Sequence, residues 1–216
     1  SMLRQEVYAL DGTDQAPHPY SVTEQNFSVR MIQPRADNRH GVFFTHAREA
    51  ISYHYERNPA DPRVSHALTL AVDDYGNVLS SAAVGYGRRA PDPSLSPQDR
   101  QRQAQTRMTC TEQRYTNPID ETRSHRTPLP CEAINDELTG LELAPGQVRF
   151  DLDQLREAIQ TADRIAYHQA PGDGPQRRVL DWTQTLYRRD DLTDALPLGE
   201  LQSRALPFEG YQLAFH

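Results

Sequence analysis

One stretch of strict alternation constrains this chain more than any other feature. Val64, His66, Leu68, Leu70 and Val72 are separated by Ser65, Ala67, Thr69 and Ala71. Successive side chains of an extended strand point to opposite faces, so the pattern makes a strand with one apolar and one small or polar face. A helix would scatter the same residues around its circumference. Asp73-Asp74-Tyr75-Gly76-Asn77 follows. Asp and Asn bond their own backbone and Gly76 tolerates a positive φ, so the chain turns there. Val78–Tyr86 returns as the partner, which completes a hairpin. Asp73, Asp74, Gly76 and Asn77 are therefore assigned to turn structure and not to chemistry.

Most of the remaining pattern is also of period two. Val7–Leu10 is expected as a short strand closed by Asp11-Gly12. Tyr20–Gln33 alternates through Tyr20 and Val22, then through Phe27, Val29 and Met31. The change of phase predicts a bulge or bend near Gln25-Asn26. Val42–Arg57 is rich in aromatic and β-branched residues, and Thr106–Tyr115, with its threonines, is expected as a polar strand. Cys131–Leu138 and Gln176–Arg189 read as further strands, with Asn117–Pro130 as loop and Asp190–His216 as an irregular tail. Ser96-Pro97 suits the start of one helical turn. One helix is expected over 152–162, where Asp151 caps a stripe of Leu152, Leu155, Ala158, Ile159 and Ala162. The fold class is thus mainly β, antiparallel, with one short helix near 152–162. The chain is treated as one region, 1–216, with the proline-rich loop near 90–97 as the place for any subdivision.

Composition narrows the function classes. Apolar residues make up 37% of 216, yet ten Tyr, six Phe and one Trp argue against wholesale disorder. No segment approaches the ~20 apolar residues of a membrane helix, and Ser1–Leu10 lacks the apolar core of a signal peptide. A net charge of −7 disfavours sequence-independent nucleic-acid binding, which needs a basic footprint. All 23 basic residues are Arg, so no lysine is present to cradle phosphate or form a Schiff base. The doublets Arg88-Arg89, Arg177-Arg178 and Arg188-Arg189 are expected to pair with carboxylates.

No catalytic, cofactor or metal motif emerges. His46 and His54 sit on one strand about 26 Å apart at strand rise, too far to share an ion. His66 lies in an apolar face and reads as a core or edge histidine with one hydrogen-bond partner. Adjacent carboxylates on a strand face opposite ways, so Asp73-Asp74 and Asp190-Asp191 make no acid–base dyad. Gly85-Tyr86-Gly87 is too short for a nucleotide loop and marks a strand end where another backbone comes close. Cys110 and Cys131 read as ordinary semi-buried thiols; whether they pair is open. Two rivals to an inert role remain. One is a carbohydrate- or receptor-binding module using Tyr53, Tyr55, Tyr86 and Trp182. The other is a hydrolase or transferase site around His54, Glu56 and Asp74.

Several strings carry a resemblance. They are Pro19-Tyr20-Ser21-Val22-Thr23-Glu24-Gln25-Asn26, Ala50-Ile51-Ser52-Tyr53-His54-Tyr55-Glu56-Arg57, and Asp73–Leu79 with Gly85-Tyr86-Gly87-Arg88-Arg89. Further along come Arg126-Thr127-Pro128-Leu129-Pro130-Cys131-Glu132, Glu137-Leu138-Thr139-Gly140-Leu141 and Leu186-Tyr187-Arg188-Arg189-Asp190-Asp191-Leu192. Ala195-Leu196-Pro197-Leu198-Gly199 and Ser203-Arg204-Ala205-Leu206-Pro207 complete the set. In this order the chain resembles the B component of the bacterial tripartite insecticidal toxin complexes, and Asp73–Val78 is similar to the strand-turn-strand unit of YD repeats.

The resemblance implies an Rhs/YD-repeat-like shell region, of which 1–216 would be a fragment without the family's β-propeller. It implies a C-type toxin component as partner and, through missing parts of the parent, a pore-forming A component. Together the B and C components would form a hollow β-shell around the toxic segment of the C partner, secreted as a complex, with no nucleic acid and no direct membrane insertion. The self-cleaving aspartyl site of such systems belongs to the C component and has no counterpart here. No catalytic residue, cofactor or metal ligand is therefore carried over, and the chain is expected not to be an enzyme.

Overall fold

A long antiparallel ribbon dominates the first part of the molecule. The computed structural model describes residues 2–214, so Ser1, Phe215 and His216 lie outside the described residues. The chain divides into two compact units. Unit 1 comprises the residues up to Thr69 together with Ala83–Met108. It begins with β1 (Arg4–Val7), β2 (Ser21–Gln33) and β3 (Val42–His54). β2 and β3 pair from Ser21↔His54 to Gln33↔Val42, with register shifts between Asn26 and Phe27 and between Met31 and Gln33. The first shift falls beside Gln25-Asn26, where the phase of the alternation changes. β1 pairs with the start of β2, from Arg4↔Glu24 to Val7↔Ser21. It therefore lies earlier than the expected Val7–Leu10. Pairing to β2 decides its place, while Leu10 stays fully exposed and Asp11 turns the chain.

On the other side of β3 runs β4 (Arg63–Val72), paired from Glu49↔Leu68 to His54↔Arg63. β4 and β5 (Val78–Tyr86) are neighbours, with the turn between them at Asp73–Asn77. This hairpin belongs to both units: its open end lies in unit 1 and its turn end in unit 2. Val22, Ile51, His66, Leu68 and Val84 are buried in unit 1, on the face that the alternation of β4 selects.

A second helix, α1 (Pro97–Ala104), adds to the single one expected. Ser96 caps it by accepting the Asp99 amide at 3.2 Å, and Pro97 opens it. It buries no residue, so it carries no apolar stripe from which a full helix could be inferred. Arg88 donates its amide to the Gln103 carbonyl at 2.7 Å, and a Cβ on Gly87 would collide with the Ala104 carbonyl. Gly87 is thus where a second backbone comes close.

Unit 2 comprises Leu70–Ala82 and the residues from Thr109 onward. Its elements are β6 (Arg107–Tyr115), which starts in unit 1, then β7 (Ile119–Glu121), β8 (Ser124–Arg126), β9 (Pro130–Thr139), α2 (Leu152–Thr161), β10 (Asp163–Arg164), β11 (Gln176–Tyr187) and β12 (Pro207–Gln212). The order β6-β9-β11-β10 runs across its sheet, with β12 also on β11. β9 and β11 are antiparallel from Thr139↔Gln176 to Glu132↔Gln184, and the two-residue β10 runs parallel to β11.

Two loop assignments change. Asn117–Pro130 holds the small β7–β8 hairpin, and the tail contributes β12, over whose Phe208 ring the Arg188 guanidinium sits at 4.4 Å. Strands this short carry too little period to be seen in a sequence. Beneath them Ile119, Cys131, Tyr187, Leu196 and Leu201 form one buried cluster, with Leu129, Leu198 and Ala205 packed on it. α2 buries Leu152, Leu155, Ala158 and Ile159, and Asp151 forms a capping box with Gln154. Arg156 ties the helix to the end of β4 through two bonds, 2.9 and 2.6 Å, to the Leu70 carbonyl.

Candidate functional site

The turn residues act on the backbone. The Asp73 carboxylate accepts the amides of Tyr75 and Asn77 at 2.9 and 2.8 Å and the Asn77 side-chain amide at 2.9 Å. Gly76 has φ +89°, a conformation that only glycine adopts without strain. Asp74 is the next residue of the same turn.

The polar residues that matter most are buried ones with no motif around them. Asp61 receives Arg88 Nε at 3.1 Å and the amides of Arg89 and Ala90 at 3.3 and 3.0 Å. It pins the segment that leaves β5. His66 has more than the one partner expected: Tyr86 Oη lies 3.1 Å from Nδ1, and Glu49 Oε2 lies 3.2 Å from Nε2. In unit 2, Glu132 gathers Arg114 at 3.0 Å, Trp182 Nε1 at 2.9 Å and Gln184 at 2.6 Å. These donors come from β6 and β11, the two neighbours of β9, so one carboxylate laces three strands.

Asp136 is 1% exposed. Its Oδ2 lies 3.6 Å from Arg177 and 3.7 Å from Arg164, while Arg177 makes a closer contact, 2.6 Å, with Glu112. Burial pushes the Asp136 carboxyl above its ordinary value despite both arginines. Burial, together with the Asp136 charge, pushes the Cys110 thiol up to about 11. That thiol is a poor nucleophile, and Cys131, also buried, donates its Sγ–H to the Arg114 carbonyl at 3.3 Å. Both cysteines are free.

The arginine doublets partly follow the expected pairing: Arg88 meets Asp61, Arg177 meets Glu112, and Arg178 meets Glu137 at 2.8 Å. Arg188 departs from it by stacking on Phe208.

Neither rival site assembles within one unit. Tyr53 and Tyr55 stack at 6.0 Å in unit 1 and Tyr86 stacks on His66, but Trp182 belongs to unit 2 with its indole N–H on Glu132. His54 and Glu56 lie in unit 1, where Glu56 pairs with Arg63, and Asp74 lies in unit 2. Among the described residues, no group of three or more His, Cys, Asp or Glu is placed to hold a metal ion. One groove in unit 1 does collect charge. It has a volume of about 450 Å³, and its lining includes His54, Arg63, Tyr86, Arg88, Gln105 and Arg107.

Comparison with known proteins places the molecule. The family model of the insecticide toxin TcdB middle/C-terminal region matches residues 1–127. The chain is similar to the TcdB2-TccC3 crystal structure at 25% identity and a TM-score of 0.74, covering 97% of this chain and 10% of that one. For TcdB2-TccC3 without its hypervariable C-terminal region the values are 26%, 0.75, 99% and 10%. For the Photorhabdus luminescens Tc holotoxin pore they are 25%, 0.71, 96% and 10%. No curated protein matches. The chain spans about a tenth of the length of these solved chains. Its mainly β, antiparallel architecture is the one shared with these Tc toxin structures, and by the family match over more than half its length the chain belongs to the insecticide toxin TcdB family.

Proposed function

We propose that this chain is a non-enzymatic stretch of wall in a hollow β-shell. In this reading the shell belongs to a toxin-complex B component and encloses the toxic segment of a C-type partner. Regions outside this chain join it to a pore-forming A component, and the assembly acts outside the bacterium. The observation that carries the reading is the far half of the β2–β3 ribbon. Val29, Met31, Ile32 and Phe43 are each more than half exposed. Met31 and Phe43 are directly paired and share one face, while Val42, the neighbour of Phe43 along β3 and also exposed, points to the other. A two-stranded ribbon is marginal on its own, and apolar surface on both faces suits burial against further strands. The related solved chains occur with TccC3 and in a holotoxin pore, which supports the same assignment of partners.

The test is co-expression of the full-length parent with its C-type partner, followed by limited proteolysis. The partner's toxic tail is expected to survive with the intact parent and to become cleavable when Met31→Glu and Phe43→Glu are introduced together. A tail cut equally fast with and without the parent would overturn the reading.

A further inference from the structure

Among the described residues, the outer half of the β2–β3 ribbon has no strand beside it on either edge. β1 pairs with β2 only as far as Glu24, and β4 pairs with β3 only from Glu49 to His54. Residues 42–48 of β3 therefore present a free edge about 24 Å long. Such an edge offers amides and carbonyls to any extended segment, and proteins commonly blunt it with proline or cover it. This one holds no proline. Phe43 is 55% exposed on one face, and Phe44 lies on the other beneath the Arg30 guanidinium at 5.8 Å.

The charge of the ribbon is opposite to that of the molecule. From Phe27 to Arg48 there are four arginines, Arg30, Arg35, Arg39 and Arg48, against one carboxylate, Asp37, in a chain of net charge −7. Arg39 stands at the tip just before β3, and Arg48 stands at the inner end of the free edge. Both are exposed, and no described carboxylate lies within salt-bridge distance of either. The apolar run Val42, Phe43 and Phe44 lies between them.

We infer that the free edge of β3 takes up an extended strand of the parent polypeptide from outside this chain, apolar in its middle and carboxylate-bearing at both ends. This rests on the shell-wall reading, in which the ribbon is covered, and gives the covering strand its chemistry. An added strand occupies the open amides and carbonyls of β3. Its side chains fall beside Phe43 on one face and Phe44 on the other. Its two ends bring carboxylates to Arg48 and Arg39, each able to form a bidentate pair. These arginines are nine positions apart, at most about 30 Å along an extended chain, which a segment of about nine residues spans. The chain covers about a tenth of the solved chains it matches. Strands elsewhere in the same polypeptide are thus the abundant supply, and tethering gives them a high effective concentration.

Fluorescence anisotropy of a labelled Glu-Glu-Val-Thr-Val-Thr-Val-Glu-Glu peptide tests it, with the 216-residue chain and with the full-length parent. The isolated chain is expected to give a saturable, salt-sensitive isotherm. Arg39→Gln with Arg48→Gln should weaken it about tenfold or more, with thermal unfolding unchanged because both side chains are exposed. The same peptide with proline in place of both threonines keeps its charge but loses strand amides, and should also bind more weakly by about tenfold or more. The intact parent, whose own strand fills the edge, should not bind the peptide. Equal affinity for a Lys-Lys-Val-Thr-Val-Thr-Val-Lys-Lys peptide would overturn the inference, as would indifference to the arginine or proline changes. A parent that binds the peptide as tightly as the isolated chain does would overturn it too. So would an isolated chain that binds no peptide, and in that case a toxic tail still protected by the parent leaves the shell-wall reading standing.

Discussion

At Asp61, burial works against the charged form. The amides of Ala90 and Arg89 and the Arg88 guanidinium outweigh it and hold the carboxyl below its ordinary value. Its contribution is therefore present above about pH 4 and lost as pH falls through the lowered folded value. Asp61→Asn should cost about 1–3 kcal/mol near neutral pH, a difference that shrinks in acid. Asp136 has the opposite sign. Burial raises its carboxyl, so its contribution is complete below about pH 4 and is lost as pH rises through the raised folded value. Asp136→Asn should remove that loss, so the variant's stability falls less than wild type's on going from acid to neutral pH. Urea melts of both variants across this range check the two signs together. The thiols give a third residue-level expectation. With Cys110 and Cys131 buried and Cys110 raised to about 11, native protein should react with a thiol reagent only at its rate of unfolding. A fast native reaction would contradict this. None of these carboxylate roles was legible beforehand. Asp61-Pro62 reads as punctuation, and nothing near Glu132 in the sequence shows that Trp182 and Gln184 will reach it.

The two helices differ in how they are held. α2 has a capping box and four buried apolar residues, of which Leu155 is 0% exposed. Leu155→Ala should cost about 2–5 kcal/mol in a denaturant melt. α1 has a capping serine and no buried residue. Ser96→Ala should therefore loosen α1 alone, by about 1 kcal/mol, seen as faster amide exchange over Asp99–Gln103 with global stability little changed. This contrast also explains legibility. The stripe of α2 and the alternation of β4 and β5 announce themselves because each has a buried face. α1, β7, β8 and β12 have too short or too wet a pattern, so packing and pairing to neighbours decide them.

In the isolated molecule, the far half of the β2–β3 ribbon keeps its apolar side chains in water. The chain alone should self-associate with rising concentration, and Met31→Glu with Phe43→Glu should reduce this in sedimentation velocity. Association unchanged by these substitutions would place the sticky surface elsewhere. Local pattern was enough for the mainly antiparallel class, the β4–β5 hairpin and its turn, the irregularity in β2, the face of α2 and the family resemblance. All of these are local, set by the spacing of apolar residues and by turn chemistry within a few positions. The division into two units, the carboxylate lacing of strands and the basic groove emerge from folding in three dimensions. Those depend on residues far apart in the chain, and no local period records which strand ends will become neighbours.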